Sequence, residues 1–337
     1  MSRPPNSLRF AKKRLLNLAA TNEQFRTPLL VPSYSSKGFP EVGHIIELTQ
    51  QFVDSQILVS AYDLHYGYIS KDIDLNFPPL LIVDSGGYEA SQDRAMQDPE
   101  RVGVVDYQPV EWSEDFHSEI VKNWDVLPPT IFVSYDHPSK RISLDEQISN
   151  ALRFGGGNGQ INRELLLKPF TSTSHYLQVE DICANARKFA PFVAIGVTED
   201  EIGKNLLERM ENIGKIRKAL TSAGLETPIH VFGSLDTITT LLYFVMGADV
   251  FDGLTWLRYG YYDGATVYKQ NLAALKFPPK THVKRVDQEC WHHNYLYLQD
   301  MQQRMRSFLN DGDFSKFREY SSKIEELFEA AVESIGD

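Results

Sequence analysis

The stretch "LLIVDSGGYEAS", Leu80 to Ser91, decides how the rest of the chain is read. Leu80, Leu81, Ile82 and Val83 are consecutive apolar residues, two of them β-branched. A strand with one wet face alternates apolar and polar residues. A run without alternation is buried on both faces, as strands of a parallel sheet are. The run stops on a carboxylate, Asp84, followed by Ser85, two glycines and Tyr88. An acid that closes a buried strand, at a turn where glycine lets other groups come close, raises the question of what it faces.

Seven further runs read the same way: "TPLLVP" (27–32), "QILVSAY" (56–62), "PTIFVSYD" (129–136), "ELLLKPF" (164–170), "FVAIGV" (192–197), "PIHVFG" (228–233) and "ADVFDG" (248–253). Helical patterns lie between them. In "DEIGKNLLERMENIGKIRKAL" (200–220), Ile202, Leu206, Met210, Ile213, Ile216 and Leu220 form one stripe. In "SLDEQISNALRF" (143–154), Ser143 and Glu146 fit a capping box. "LDTITTLLYFVMG" (235–247) ends on Gly247, as a helix C-terminus often does. Strands alternating with helices, with no linker, predict an α/β protein built as a (β/α)8 TIM barrel over residues 1–265. An open doubly wound sheet is the rival. The long 89–128 connection predicts an insertion at 90–110 after strand 3, then a helix near 112–124. After residue 265 the β pattern stops, and residues 266–337 read as C-terminal helices packed on the barrel. "GGGNG" (155–159) follows a helix and precedes a strand, the reverse of a nucleotide-binding glycine loop, so it reads as a turn.

The composition is that of a globular protein, and no apolar run approaches the ~20 residues that span a bilayer. Two cysteines, Cys183 and Cys290, suggest no disulfide framework and a cytoplasmic setting. The net charge is −11, yet basic residues cluster. Lys12, Lys13 and Arg14 lie in one run, and Lys280, Lys284 and Arg285 in another. Such patches can grip a polyanion locally, because screening confines the attraction to about 10 Å. Ordinary solvated surface explains either run equally well.

In a barrel, the C-terminal ends of the strands converge on one mouth. Asp84 would end strand 3, Asp136 strand 4 and Asp252 strand 8, with strand 8 beside strand 1. Aspartate also caps helices and forms turns. Three such acids around one mouth exceed what capping asks for, and like charges in one pocket raise each other's pKa. One carboxylate can attack a sugar anomeric carbon while another moves protons. A third can accept paired N–H donors of a base, and Tyr88 offers a face for stacking or for ordinary packing.

At these residues the chain resembles the tRNA-guanine transglycosylase superfamily over most of the barrel. "DSGGYEAS" looks like its Asp-Ser-Gly-Gly-aromatic-Gln segment, and "ADVFDGLTWLRYG" resembles its Asp-Xaa-Phe-Asp segment. "SYDHPSKRISLDEQISNALR", "FVAIGVTED" and "TPLLVPSYSSKG" are similar to its fourth, sixth and first strand segments. The resemblance implies exchange of guanine in a polynucleotide for a 7-deazaguanine. It casts Asp252 as the nucleophile forming a covalent glycosyl intermediate, and Asp84 as general base. Ser85, Asp136 and Tyr88 would hold the base, and the backbone at Gly196 would close the pocket.

The departures shape the expectation. The family's zinc site needs three closely spaced cysteines and a distant histidine. Here only Cys290 remains, with His292 and His293 as weak candidates, so no cofactor is required and zinc is at most vestigial. The family's pocket glutamine falls near Lys168, its Gly-Gly-Leu segment reads "GVTED", and the Pro-Thr-Arg-Asn segment of the tRNA enzymes is replaced by "TWLRYG". The pattern looks more like the divergent branch that inserts 7-deazaguanines such as 7-cyano-7-deazaguanine into DNA. A flipped-out DNA base is therefore the expected substrate. The alternatives are a tRNA enzyme, a non-catalytic nucleic-acid-binding partner subunit, and an unrelated barrel hydrolase with paired carboxylates. No membrane partner is expected, and a homodimer or partner proteins stay open.

Overall fold

A computed structural model describes residues 6–91, 108–137, 139–155 and 161–336. Each of the eight apolar runs overlaps a strand. These are β1 (Leu29–Pro32), β2 (Ile57–Ser60), β3 (Leu81–Asp84), β4 (Thr130–Val133), β5 (Asn162–Leu166), β6 (Ala194–Thr198), β7 (Ile229–Phe232) and β8 (Val250–Gly253). They form a single sheet in which every pairing is parallel and β8 pairs with β1. The two edges meet through one parallel bridge, Ser33 to Leu58, where Tyr34 N donates to Leu58 O at 3.0 Å. The sheet is thus nearly closed and compatible with a (β/α)8 barrel.

Alternation along the strands sorts their side chains into two cores. Leu30, Val59, Val83, Phe132, Leu165, Ile195, Val231 and Phe251 join the large cluster under the helices. Leu29, Val31, Leu58, Ile82, Val133, Leu166, Ala194, Phe232 and Val250 join a separate, smaller cluster that fills the lumen. Leu16 and Leu18 belong to that second cluster. They come from a hairpin, Leu15–Leu18 paired with Glu23–Arg26, that plugs the N-terminal end of the lumen. The sequence reading missed this hairpin because its short strand is half exposed.

Beneath the hairpin a buried ion cluster ties the floor together. Arg14 Nη1 donates to Asp249 Oδ1 at 3.2 Å, and Arg217 Nη2 to Asp249 Oδ2 at 2.6 Å. Burial pulls the Arg217 guanidinium down to about 10 against the support of Asp249.

The helices largely follow the sequence. Leu144–Arg153 carries the anticipated capping box of Ser143 and Glu146. Glu114–Lys122 lies where a helix was expected and is capped by Ser113. Two helices start later than their apolar stripes suggest, for local reasons. Leu206–Ser222 begins after Asn205, whose side chain caps Glu208 N. Thr239–Val245 is delayed because Asp236 Oδ1 accepts from Ile238 N and Thr239 N, at 2.7 Å each. The inferred insertion at 90–110 and the "GGGNG" turn fall mainly outside the described residues.

Strand structure does not stop at 265. Gly260–Tyr262 pairs with Ala265–Val267 in a second hairpin. Helices Lys269–Lys276, Val283–Asp311 and Ser321–Ile335 follow. The long one crosses the flank of the sheet from end to end. Near its start, Trp291 Nε1 and Asn294 Nδ2 donate to the carbonyls of Leu257 and Trp256, just past β8. Further along, Gln302 Nε2 donates to Pro28 O, at the opposite end of β1. Among the described residues, no helix is long and apolar enough to cross a membrane.

Candidate active site

The glycine pair after Asp84 now has a steric explanation. Gly86 takes φ +82°, and a Cβ there would sit 2.8 Å from the Trp112 ring. A Cβ on Gly87 would lie 2.7 Å from Asp136 Oδ2. The first glycine makes the turn; the second leaves room for a carboxylate from the next loop. The Ser85 side chain is buried and its hydroxyl accepts from Gly87 N at 3.2 Å, so it shapes this turn.

β4 ends at Val133, so Asp136 lies three residues beyond the strand rather than at its end. Its carboxylate is 3.3 Å from Lys168 Nζ and 3.9 Å from Arg141 Nη1. Glu201 completes a four-membered network, 2.7 Å from Lys168 and 3.5 Å from Arg141. Burial opposes the charge on Lys168, but Asp136 and Glu201 outweigh it and hold its pKa above the ordinary lysine range. Asp136, Lys168 and Arg141 line a cleft of about 110 Å³ with Tyr135 and Gln147.

Asp84 and Asp252 share the lumen-facing parity of Ile82 and Val250 and close the mouth end of the lumen. Their surroundings differ. Asp84 Oδ1 is buried with no hydrogen-bond partner among the described residues. Burial, then Glu89 and Asp252, push its pKa up to about 8. Glu89 is itself buried, accepting from the Ser35 and Ser60 hydroxyls, and Asp63 lies fully buried close by. Asp252 is well supplied with donors: Ser33 Oγ at 2.7 Å on Oδ2 and Gly233 N at 3.2 Å on Oδ1.

A third group was not anticipated from sequence. His230 Nε2 lies 3.3 Å from Asp252 Oδ1, within ion-pair range though off hydrogen-bond alignment. Its Nδ1 is 2.8 Å from Glu164 Oε1. Burial disfavours the imidazolium, but Glu164 and Asp252 prevail and lift the His230 pKa to about 10. Glu164, His230 and Asp252 sit on β5, β7 and β8. Gly196 on β6 lies between, where a Cβ would come within 2.5 Å of Phe232 and 3.0 Å of Glu164 Oε1. Gly196 is thus set into the wall, and its missing side chain is what matters there.

Tyr88 is partly exposed at the rim. Lys37 Nζ sits 4.4 Å from its ring centre and Arg258 Nη2 donates to its hydroxyl at 3.2 Å, so at least one ring face already carries a cation.

The basic runs separate. Lys12 pairs with Glu226 and Lys13 with Asn310, while Arg14 is buried on Asp249. That run belongs to the closed floor, away from the mouth, and Arg14 is corrected from a phosphate contact to a structural cation. Lys280 is exposed and Arg285 pairs with Glu289 at 3.0 Å, both near the mouth-side start of the long helix. The Lys284 side chain lies outside the described residues.

The weak zinc candidates point apart. Cys290 is buried with Sγ 4.0 Å from Lys269 O, His292 packs on the Phe52 ring, and His293 Nε2 lies 2.9 Å from Tyr261 O. These residues do not fit a zinc site. Among the described residues, no three His, Cys, Asp or Glu side chains are grouped to hold a metal ion.

Fold and site together define a barrel-like α/β protein with a sheltered, carboxylate-lined mouth. Compared with known protein families and with curated proteins, the chain matches none.

Proposed function

We propose that the protein is a pentosyltransferase that exchanges guanine in a polynucleotide for a 7-deazaguanine. The observation that carries this reading is the contrast between two neighbouring carboxylates: Asp84 is pushed up to about 8, while Asp252 is held by Ser33, Gly233 and the His230 cation. A carboxyl that keeps its proton, beside one whose oxygens are held by donors, suits a division into acid and nucleophile.

An Asp252 oxygen forms a bond to C1′ of the target nucleotide as the bond to guanine N9 breaks. Protonated Asp84 supplies the proton that the departing base takes up. The incoming 7-deazaguanine then returns a proton to Asp84 and attacks C1′, releasing Asp252. Each oxygen leaves the cycle in the state in which it began.

Asp136 and Lys168 suit the base's lactam edge. The carboxylate accepts from N1–H and the exocyclic amine, and the ammonium donates to O6. Lys280 and Arg285 near the mouth side suit backbone phosphates. DNA is favoured over tRNA because the segments that resemble the tRNA enzymes least are the zinc ligands and the stretch after Asp252. Asp252 itself argues against a non-catalytic partner subunit.

The test is incubation with radiolabelled guanine and either duplex DNA or tRNA, with a denaturing gel to trap the covalent complex. Label should enter DNA, and Asp252→Ala should fold yet give no trapped band. A band of wild-type strength from Asp252→Ala would move the nucleophile elsewhere.

A further inference from the structure

Glu164 and His230 are buried deep in the lumen, where an isolated charge is costly. Ion pairs of this kind are weak evidence for stability, since a packed apolar pair often serves as well. Their position is more telling. The chain Glu164–His230–Asp252 ends on the one carboxylate that also receives Ser33 Oγ and Gly233 N. Room for it depends on a missing side chain at Gly196. The Phe232 ring stacks on the imidazole with centroids 3.9 Å apart, fixing its plane. His230 has no exposed surface, so it cannot touch a substrate.

We propose that Glu164 holds His230 as a buried cation whose role is to fix and support the Asp252 carboxylate, making both of them positioning residues for the attack on C1′. The inference rests on the reading of Asp252 as nucleophile. With Ser33 and Gly233 fixing the two oxygens from the β1 and β7 sides, the imidazolium completes a three-point hold. As the glycosyl ester forms, Asp252 loses its negative charge while His230 remains paired with Glu164. The cation is therefore never left without a counter-charge through the cycle.

The experiment has two arms. The first records 15N spectra of the imidazoles at about pH 8, with His230→Gln identifying the signal. His230 should carry protons on both ring nitrogens in the wild type, and become neutral in Glu164→Gln. A neutral His230 in the wild type overturns the proposal without any substrate being involved. The second arm measures the rate of covalent adduct formation and KM for the polynucleotide. Glu164→Gln and His230→Gln should slow adduct formation roughly 10–100-fold, the scale known for orienting partners of reactive groups, with KM unchanged. Unchanged rates in both variants overturn the proposal. If the wild type forms no adduct while His230 is charged and loses its charge in Glu164→Gln, the transglycosylase reading fails and the charge chain stands. If both variants fail to fold, the wild-type spectrum decides, with the His230 signal assigned by through-bond correlation to its own backbone.

Discussion

Asp136 Oδ2 occupies the space in which a side chain on Gly87 would begin, 2.7 Å from an ideal Cβ there. Two segments far apart in sequence, the turn after β3 and the loop after β4, are therefore interlocked at the mouth. The second glycine of "DSGG" is required by a neighbour rather than by its own backbone, since only Gly86 of the pair has a positive φ.

Gly87→Ala should accordingly push Asp136 out of place and leave the rest of the fold intact. The loss of a charged hydrogen bond, about 1.5–3 kcal/mol, corresponds to a rise in KM for the incoming base of tenfold or more. Steady-state kinetics with varied base concentration checks this; a KM equal to that of the wild type would show that Asp136 does not read the base.

Asp84 gives a pH signature with a defined sign. Its folded pKa of about 8 stands above the ordinary 3.8, so the native state holds the proton more tightly than the unfolded chain. That contribution to stability is full below about pH 4 and is lost progressively as pH rises to about 8. Asp84→Asn should therefore melt higher than the wild type, with a gap that widens between those limits. Adduct formation by the wild type should fall above about pH 8 as the acid is lost. A melting gap that is flat with pH would show that Asp84 is charged in the fold at neutral pH.

The floor of the sheet allows a prediction independent of function. Asp249 is the shared counter-charge of buried Arg14 and Arg217. Asp249→Ala should cost about 3–5 kcal/mol, because it takes the carboxylate from buried Arg217 and leaves buried Arg14 to the partly exposed Glu226. Urea denaturation measures it, and a loss below about 1 kcal/mol would mean that water or Glu226 replaces the carboxylate.

How far the sequence alone reaches depends on what signal each residue leaves. The eight strands were legible because both of their faces are buried, which writes unbroken apolar runs such as Leu80 to Val83. Asp84 and Asp252 stood out because each closes such a run. Glu164 and His230 did not. The run "ELLLKPF" opens on Glu164, whereas Asn162 begins β5 and puts the carboxylate in mid-strand. His230 reads as a single polar residue inside the apolar run "PIHVFG". The missed signal was parity: Glu164, His230 and Asp252 all face inward with Leu166, Phe232 and Val250, and an inward charge needs a partner. Asp136 was mislocated by a few residues for a related reason. The backbone pairing of β4 continues through Ser134 N to Glu164 O, and the chain then turns away. The hairpin at Leu15–Leu18 was missed because its alternating burial over four residues is too short a pattern to register.

Asp136→Asn separates recognition from architecture. Guanine and its 7-deaza analogues present N1–H and an exocyclic amine side by side, and a carboxylate accepts both. Asparagine keeps the shape but turns one acceptor into a donor that opposes a donor of the base. A clashing buried polar group costs about 1–3 kcal/mol or more, so kcat/KM for guanine exchange should fall by about fivefold or more. The fold should survive, since Lys168 and Arg141 both keep Glu201 as a partner. Helix capping predicts the opposite for activity, because asparagine caps nearly as well as aspartate. The geometry already disfavours capping: Asp136 lies against two side-chain cations, and the next helix is capped by Ser143. Kinetics and a thermal melt on the same preparation decide the matter. Retained activity in Asp136→Asn would return this carboxylate to a purely structural place in the Lys168–Glu201 network.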